Sequence, residues 1–262
     1  CSGVTTWVRD REHVEKAFVF GGMPARNAMF ATLAVAAGFD GVSDVFDGTP
    51  NFFDATGGRY EANNLVDGLG TRFELMRTNI KKYAVGSPAQ AAVQAVEAIL
   101  ESHPITPDDV ESIEIRLPAD ECGIVDDRSM PDINVQYLVA GTLVDGRFTF
   151  AMAHAPERMD EPGIGRLRER TTLVPDEQSS GTRSATVVVW LSDGSTVDKH
   201  VPHVRGTADD PMTPDEVYDK SADLVRPVVG DVRAKHLVEF VQDIESYESI
   251  SGVSLLAGGD GR

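Results

Sequence analysis

The chain has 262 residues, of which 41% are hydrophobic, so it can form one large domain or two smaller ones. It carries 42 acidic residues against 24 Lys and Arg, and the formal net charge of −18 argues against nucleic acid as a partner, because phosphates need a positive surface. The two cysteines, Cys1 and Cys122, are too few for a disulfide framework and stand at no metal-ligand spacing, which argues against a redox or zinc site.

No apolar run in the sequence reaches the length of a membrane span. No basic segment followed by an apolar one opens the chain, so we expect a cytoplasmic protein. Residues 1–7 contain no initiator Met. We therefore expect that the chain is truncated at its amino terminus.

The amino-terminal third of the chain carries helix signals. A glycine pair ends the segment that begins at Lys16, and Pro24 then opens a helix of small residues that ends at Gly38. The Asn-Phe-Phe segment 51–53 is expected to form a buried hydrophobic plug before a polar, glycine-rich loop.

A helix start is the clearest local signal in the middle of the chain. Residues 80–85 are predicted to form a short strand. After it, Ser87 supplies an N-cap, Pro88 takes the first helical position and Gln90 completes a capping box. Apolar residues then recur at helical spacing until the His-Pro pair at 103–104 ends the run.

Two lysines directly precede this helix start and predict an anion site. The N-terminus of a helix carries unpaired N–H groups and a partial positive charge, so a carboxylate or phosphate can bind there beside Lys81 or Lys82. The candidate substrate-binding residues are those around the helix start: Lys82, Gly86, Ser87 and Gln90. The alternative is a solvated pair of lysines near the end of a strand.

The spacing of the apolar residues changes from helical to extended after residue 105. Residues 110–117 alternate apolar and polar side chains, as a half-buried strand does. Residues 130–134 cap a helix that Asp145 and Gly146 end. The same signals predict the later elements: a helix over 162–170, strands over 171–174, 184–191 and 196–201, a hairpin turn over 192–195, and helices over 214–224 and 232–246.

These signals predict an α+β fold with two domains. Helical spacing dominates near both chain ends, while runs of period two occur between them. We therefore expect one all-helical domain built from residues 1–77 and 210–262, and a central α+β domain over residues 78–209.

Five motifs give the sequence a family resemblance. They are a lysine and a glycine separated by four residues, a Gly-Phe-Asp-Gly stretch followed by a Phe pair, an Ile-Lys-Lys-Tyr segment, a Met-Pro-Asp-Ile-Asn-Val-Gln-Tyr segment, and an Arg-Gly pair before Pro-Met-Thr: residues 16–21, 38–53, 80–83, 130–137 and 205–213. With these motifs the chain resembles the MmgE/PrpD family, which includes 2-methylcitrate dehydratase, cis-aconitate decarboxylase and iminodisuccinate epimerase. The resemblance covers nearly the whole chain but only the carboxyl-terminal part of a family member, so the amino-terminal helices would be missing here.

The resemblance implies a lyase that acts on a small di- or tricarboxylate without a metal or an organic cofactor. We expect a hydro-lyase like 2-methylcitrate dehydratase, in a homodimer. Lys81 stands at the position of the family's active-site lysine, and the resemblance places Lys16 and Tyr137 in the same catalytic set. The lysines would hold carboxylates and stabilise a carbanion, and the tyrosine would donate a hydrogen bond or a proton. For Tyr137 the alternative is an ordinary helix tyrosine with its hydroxyl at the surface.

The resemblance also implies that the catalytic set is incomplete. The family's aspartate and histidine that handle the proton belong to the amino-terminal helices, so we expect no lyase activity from this polypeptide alone. Val19 stands where members often have His, and residues 84–88 replace a segment rich in Cys and His, which leaves the substrate open. His154 is a further candidate, although a lone His after an apolar run is more often packed. Decarboxylation, epimerisation and a non-catalytic acidic binding domain remain as alternatives.

Overall fold

The computed structural model describes residues 18–57 and 60–249. Lys16 and the start of the chain therefore lie outside the described residues. By its internal contacts the chain divides into two units, residues 1–76 and residues 77–262.

The first unit contains two α-helices in its described part. Helix α1 spans Met23–Ala36 and follows a π-helical turn over Phe18–Gly22, and helix α2 spans Phe52–Thr56. Pro24 lies in the first turn of α1, where its missing N–H removes no helical hydrogen bond. The predicted helix after the glycine pair is confirmed.

The predicted buried plug at residues 51–53 is wrong for its aromatic part. Asn51 is buried and caps α2, because its side chain accepts hydrogen bonds from two N–H groups of the helix at 2.9 and 3.1 Å. Phe52, by contrast, is 43% exposed. The aromatic rings of this segment pack against one another instead of entering a core: Phe46, Phe52, Phe53 and Tyr60.

In the part that the structure describes, residues 77–249, the second unit combines helices with one sheet. Its α-helices are α3 (Gln90–Ser102), α4 (Ala119–Val125), α5 (Val135–Asp145), α6 (Phe150–Ala153), α7 (Pro162–Glu169), α8 (Pro214–Val229) and α9 (Asp231–Gln242). Its strands are β1 (Val110–Pro118), β2 (Thr171–Asp176), β3 (Ala185–Leu191) and β4 (Thr196–Val201). Short 3-10 turns across the two units cover Ala62–Leu65, Glu74–Arg77, Ser87–Ala89, Pro107–Asp109, Pro131–Ile133, Pro156–Asp160, Glu177–Ser179 and Ile244–Ser246.

The four strands form one mixed sheet in the order β2-β1-β3-β4. Strand β1 runs parallel to β2 and antiparallel to β3, and its Ile115 pairs with Leu173 on one side and Val187 on the other. The apolar side chains of β1 are buried while Glu111 and Arg116 are exposed, which confirms the predicted alternation. Helices α3 and α5 pack against the sheet and against each other, so the core lies between these two helices and the strands.

Most predicted elements after residue 105 are confirmed. The predicted strands correspond to β1, β2, β3 and β4, and the predicted helices correspond to α5, α7, α8 and α9. The sequence signals do not predict α4, which follows Pro118 and begins without a side-chain cap. Its start lacks a capping residue, which is the clearest mark of a helix, and the acidic pair Asp120 and Glu121 in its first turn is a weaker signal.

Residues 80–85 do not form the predicted strand. Single contacts anchor this segment instead of a strand ladder: the Ile80 N–H donates to the Gly206 carbonyl at 2.7 Å. The Tyr83 ring is buried, and its hydroxyl donates to Glu97 Oε2 at 2.7 Å. Contacts with different parts of the second unit therefore hold this segment.

The predicted capping box at the start of α3 is also wrong. The helix begins through the 3-10 turn Ser87–Ala89, and neither that turn nor α3 has a side-chain cap. The side chain of the buried Gln90 contacts the preceding loop instead of capping the helix, because its Oε1 accepts a hydrogen bond from the Tyr83 N–H at 3.4 Å. Helix α3 itself is confirmed and buries one apolar face against the sheet.

The mixture of helices with one four-stranded sheet confirms the α+β class, and the sheet lies inside the predicted range 78–209. The helical domain assembled from residues 1–77 and 210–262 stays a prediction, as do the missing amino-terminal helices. Across residues 18–57 and 60–249, none of the helices has both the length and the apolar character needed to cross a membrane.

Gly206 permits the approach of Ile80, and we predict that Gly206→Ala is strongly destabilising. Its φ is +97°, and an added Cβ would overlap the Ile80 carbonyl oxygen. A left-handed backbone alone costs a non-glycine residue about 1–2 kcal/mol. We expect a larger loss in the free energy of unfolding, measured in urea, because Ile80 must also move.

Gly194→Ala is the matched control for this prediction. Gly194 has a φ of +86°, but an added Cβ there meets open space. For Gly194→Ala we expect only the backbone cost in the free energy of unfolding. Equal losses of unfolding free energy in the two variants would contradict the overlap at Ile80.

Candidate active site

A small pocket opens beside the start of α3, with a volume of about 180 Å³. Three of the predicted site residues line it: Lys81, Ser87 and Gln90. The other lining residues are Asn79, Arg183, Val204, Arg205, Gly206 and Thr207. Pockets for drug-sized ligands measure about 300–1,000 Å³, so this one suits a smaller molecule.

The pocket is cationic, although the chain has a formal net charge of −18. Lys81, Arg183 and Arg205 line it, and the lining that the structure describes includes no carboxylate. Lysine and arginine form their strongest hydrogen bonds with carboxylates and phosphates. The pocket therefore favours a small anion.

Lys81 is positioned from two sides. Its Nζ donates to the Val85 carbonyl at 2.8 Å, which folds the side chain back along its own loop. Its backbone carbonyl accepts a hydrogen bond from Lys220 Nζ of α8. Burial lowers the pKa of Lys220. The backbone of Lys81 is thus tied to α8 while its side chain lines the pocket.

Arg205 connects the pocket wall to α8. Its guanidinium donates to both carboxylate oxygens of Glu216, at 3.2 and 2.6 Å, and to Asp210 Oδ1 at 2.6 Å. The hydrogen bonds from Arg205, followed by one from the Thr213 backbone, lower the pKa of Glu216 to about 2. Glu216 is therefore ionised near neutral pH and keeps Arg205 in place.

Arg183 lies in the loop before β3. Its Nη1 donates to Glu121 Oε1, and its side chain is 47% exposed. Sequence reasoning missed both Arg183 and Arg205 as site residues. In the sequence, Arg205 is marked only by the Arg-Gly pair that contributes to the family resemblance. Arg183 stands in a polar loop that matches none of the motifs.

The structure places Lys82 and Gly86 away from this pocket. Lys82 Nζ lies 3.6 Å from Glu97 Oε2 and 4.9 Å from the centre of the Tyr83 ring, in a different cavity of about 740 Å³. The Gly86 N–H donates to the Asp132 carbonyl at 2.7 Å, and a Cβ on Gly86 would lie 3.0 Å from a methyl group of Ile133. Gly86 thus allows close packing, and the roles of both residues in substrate binding stay predictions.

Tyr137 is fully buried in α5. Its hydroxyl donates to the Met152 carbonyl at 2.7 Å, and burial raises the pKa of that hydroxyl. The alternative of a surface hydroxyl is therefore wrong, and Tyr137 does not line the pocket that Lys81 lines. The catalytic roles of Tyr137 and of Lys16 stay predictions.

His154 is exposed and lies outside the pocket lining. Its ring stacks on Phe150 with 4.0 Å between ring centroids, and its Nδ1 lies 2.9 Å from the Phe150 carbonyl. Within the described part of the chain, no group of three or more His, Cys, Asp or Glu side chains is arranged to hold a metal ion.

Comparison with known proteins identifies the family. Residues 83–246 match the family model described as the MmgE/PrpD C-terminal domain. The match spans more than half of the chain, and the chain belongs to the MmgE/PrpD family. The predicted resemblance is confirmed.

A curated relative supports this membership. The chain is 24% identical over 259 residues to the cis-aconitate decarboxylase-like protein oryM of Aspergillus oryzae (strain ATCC 42149 / RIB 40). The alignment covers 90% of this chain and 53% of the relative. The chain therefore spans about half the length of the curated relative that it matches.

The buried hydroxyl of Tyr137 generates a prediction about stability. A typical intramolecular hydrogen bond contributes about 0.5–1.5 kcal/mol, and Tyr137→Phe removes the bond to Met152 without changing the ring. We expect a loss of that size in the free energy of unfolding in urea. Tyr247→Phe is the control, because Tyr247 is 48% exposed, and a surface change of this kind stays within about 0.5 kcal/mol. Unchanged stability of Tyr137→Phe would contradict a structural role for the hydroxyl.

Proposed function

We propose that this chain forms the carboxylate-binding part of an MmgE/PrpD-type lyase that acts on a small di- or tricarboxylate without a cofactor. The observation that carries the proposal is the presence of Lys81, Arg183 and Arg205 around one pocket of about 180 Å³. Family membership and a decarboxylase-like relative support an enzyme rather than a non-catalytic acidic binding domain.

The proposed chemistry follows from the charge that develops on the substrate. Removing a proton next to a carboxylate leaves negative charge on carbon and on the carboxylate oxygens. Cations that are already in place lower the energy of this charge without reorganisation during the reaction. In the proposal Lys81 and Arg183 contact the substrate carboxylates, and Arg205, held by Asp210 and Glu216, forms the wall behind them.

The proton must be handled by a group beyond the lining that the structure describes. That lining contains no His, Asp or Glu, the residue types that usually act as general bases near neutral pH. We propose that another part of the protein supplies the base. The extent of the alignment supports this proposal, since it covers only 53% of the curated relative.

Dehydration of an acid like 2-methylcitrate is the first candidate reaction. Decarboxylation is the second, because the name of the curated relative favours it. Both reactions need cations at the substrate carboxylates. They differ in how the carbanion forms and where the proton goes. Dehydration removes a proton from carbon and releases the hydroxyl, which takes up a proton and leaves as water, whereas decarboxylation releases CO₂ and then adds a proton to carbon.

The proposal assigns carboxylate binding to Lys81, which lines the pocket, and not to Lys82, which lines a different cavity, so it predicts different effects for these two neighbouring lysines. A hydrogen bond to a charged group contributes about 1.5–3 kcal/mol, so Lys81→Ala should weaken binding of tricarballylate roughly ten- to a hundredfold in isothermal titration calorimetry. Lys82→Ala removes the same charge from a side chain that lies against Glu97, and we expect a change of less than about threefold, of the size of a surface ion pair. Equal losses in the two variants would show that the effect is one of net charge and not of the pocket.

A second experiment tests the reaction itself. The isolated chain should bind tricarballylate but should not turn over 2-methylcitrate or cis-aconitate, because losing a general base costs about 10²–10⁴ in rate. A protein extended to the length of its relatives should convert one of the two acids. Formation of an unsaturated acid from 2-methylcitrate indicates dehydration, and release of CO₂ from cis-aconitate indicates decarboxylation. Equal turnover by the short and the extended protein would contradict the proposal that this chain binds the carboxylates while another part of the protein supplies the base.

A further inference from the structure

Glu121 is a buried carboxylate that the proposed chemistry does not use. It lies on α4 and is only 6% exposed. One of its oxygens, Oε1, accepts a hydrogen bond from Arg183 Nη1. The other oxygen, Oε2, is buried and has no hydrogen-bond partner within the described residues.

An ionised carboxylate in this position is costly unless a cation compensates it. Burial raises the pKa of the Glu121 carboxyl, the charge of Arg183 opposes that effect, and the neighbouring Asp120 adds to it. Replacing Glu121 by an apolar residue of similar size would remove this cost. A carboxylate placed at this cost beside a pocket residue points to a role outside stability.

The surroundings of Glu121 connect it to the pocket. Helix α4 packs against the 3-10 turn Ser87–Ala89, whose first residue lines the pocket. On the other side, the Gly181 N–H donates to the Asp120 carboxylate at 3.4 Å, which ties α4 to the loop that carries Arg183. Helix α4 thus contacts both the helix start and the loop of the pocket.

Arg183 needs such an anchor. Its side chain is 47% exposed and belongs to a loop, and a free arginine side chain samples many rotamers. Within the described residues, the guanidinium makes its hydrogen bond to Glu121 through Nη1. The guanidinium carries five N–H donors, so the others remain for a ligand.

We propose that Glu121 is a positioning residue, which holds the Arg183 guanidinium at the pocket so that it binds a carboxylate of the ligand. This inference rests on the proposed function, because it takes the pocket to be the carboxylate site. It assigns Glu121 no contact with the ligand. All of its effect on binding passes through Arg183.

A double-mutant cycle with tricarballylate tests this dependence. Arg183→Met is expected to weaken binding roughly ten- to a hundredfold, and Glu121→Ala roughly tenfold. In the Arg183→Met background, Glu121→Ala should have no further effect on the dissociation constant. Additive losses would show that Glu121 acts independently of Arg183 and would overturn the proposal.

Two further variants separate positioning from folding and from net charge. Glu121→Gln keeps an oxygen that can accept from Arg183, so it should restore affinity to within about threefold of the unchanged protein. Glu114→Ala removes one carboxylate from β1, beside Arg116 and outside the pocket lining, and should leave the affinity unchanged. If Glu121→Ala lowers the unfolding midpoint but leaves the affinity unchanged, its role is structural and the proposal is wrong.

The outcome also distinguishes this inference from the proposed function. Loss of binding in Arg183→Met with full binding in Glu121→Ala would overturn only the positioning role. No binding of tricarballylate by the unchanged protein, or no effect of Lys81→Ala and Arg183→Met, would overturn the carboxylate pocket and this inference together.

Discussion

The pocket depends on the contact between Ile80 and Gly206. These residues are far apart in the sequence, and the hydrogen bond of 2.7 Å from the Ile80 N–H to the Gly206 carbonyl brings their backbones together. The contact leaves no room for a Cβ on Gly206, whose φ of +97° also favours glycine. Lys81 follows Ile80 and Arg205 precedes Gly206, so one backbone contact places two of the three pocket cations.

Carboxylates that pair with the pocket arginines determine where their guanidinium groups lie. In a chain with a formal net charge of −18, arginines readily find carboxylate partners, and both pocket arginines have them. Two carboxylates hold Arg205, while Arg183 donates a hydrogen bond to Glu121 from one nitrogen of its guanidinium. These carboxylates are not part of the pocket lining, so they hold the arginines without occupying the pocket.

The sequence predicts the regular elements better than the site. Periodicity and capping signals reveal β1, α3 and α5 because a buried strand or helix repeats its apolar residues at a fixed spacing. The segment around Lys81 has the composition of a strand, but its contacts with α8 and Gly206 determine its conformation. These contacts join residues that are distant in the sequence, so they cannot be predicted from the segment itself. The family resemblance led to Lys81, whereas Arg183 and Glu121 became visible only when the fold brought their loop and helix together. The burial of Tyr137 likewise depends on α6, which supplies the Met152 carbonyl.

The order of the strands has a consequence for how the pocket forms. Strand β1 pairs with β2 and β3, and each pairing closes a long loop of chain. Closing long loops costs conformational entropy that is recovered only when the paired segments pack. Arg183 precedes β3 and Arg205 follows β4, so both reach Lys81 only after this sheet has assembled. A chain in which α3 has formed but the sheet has not would contain the lysine but no pocket, so the pocket is a property of the folded second unit.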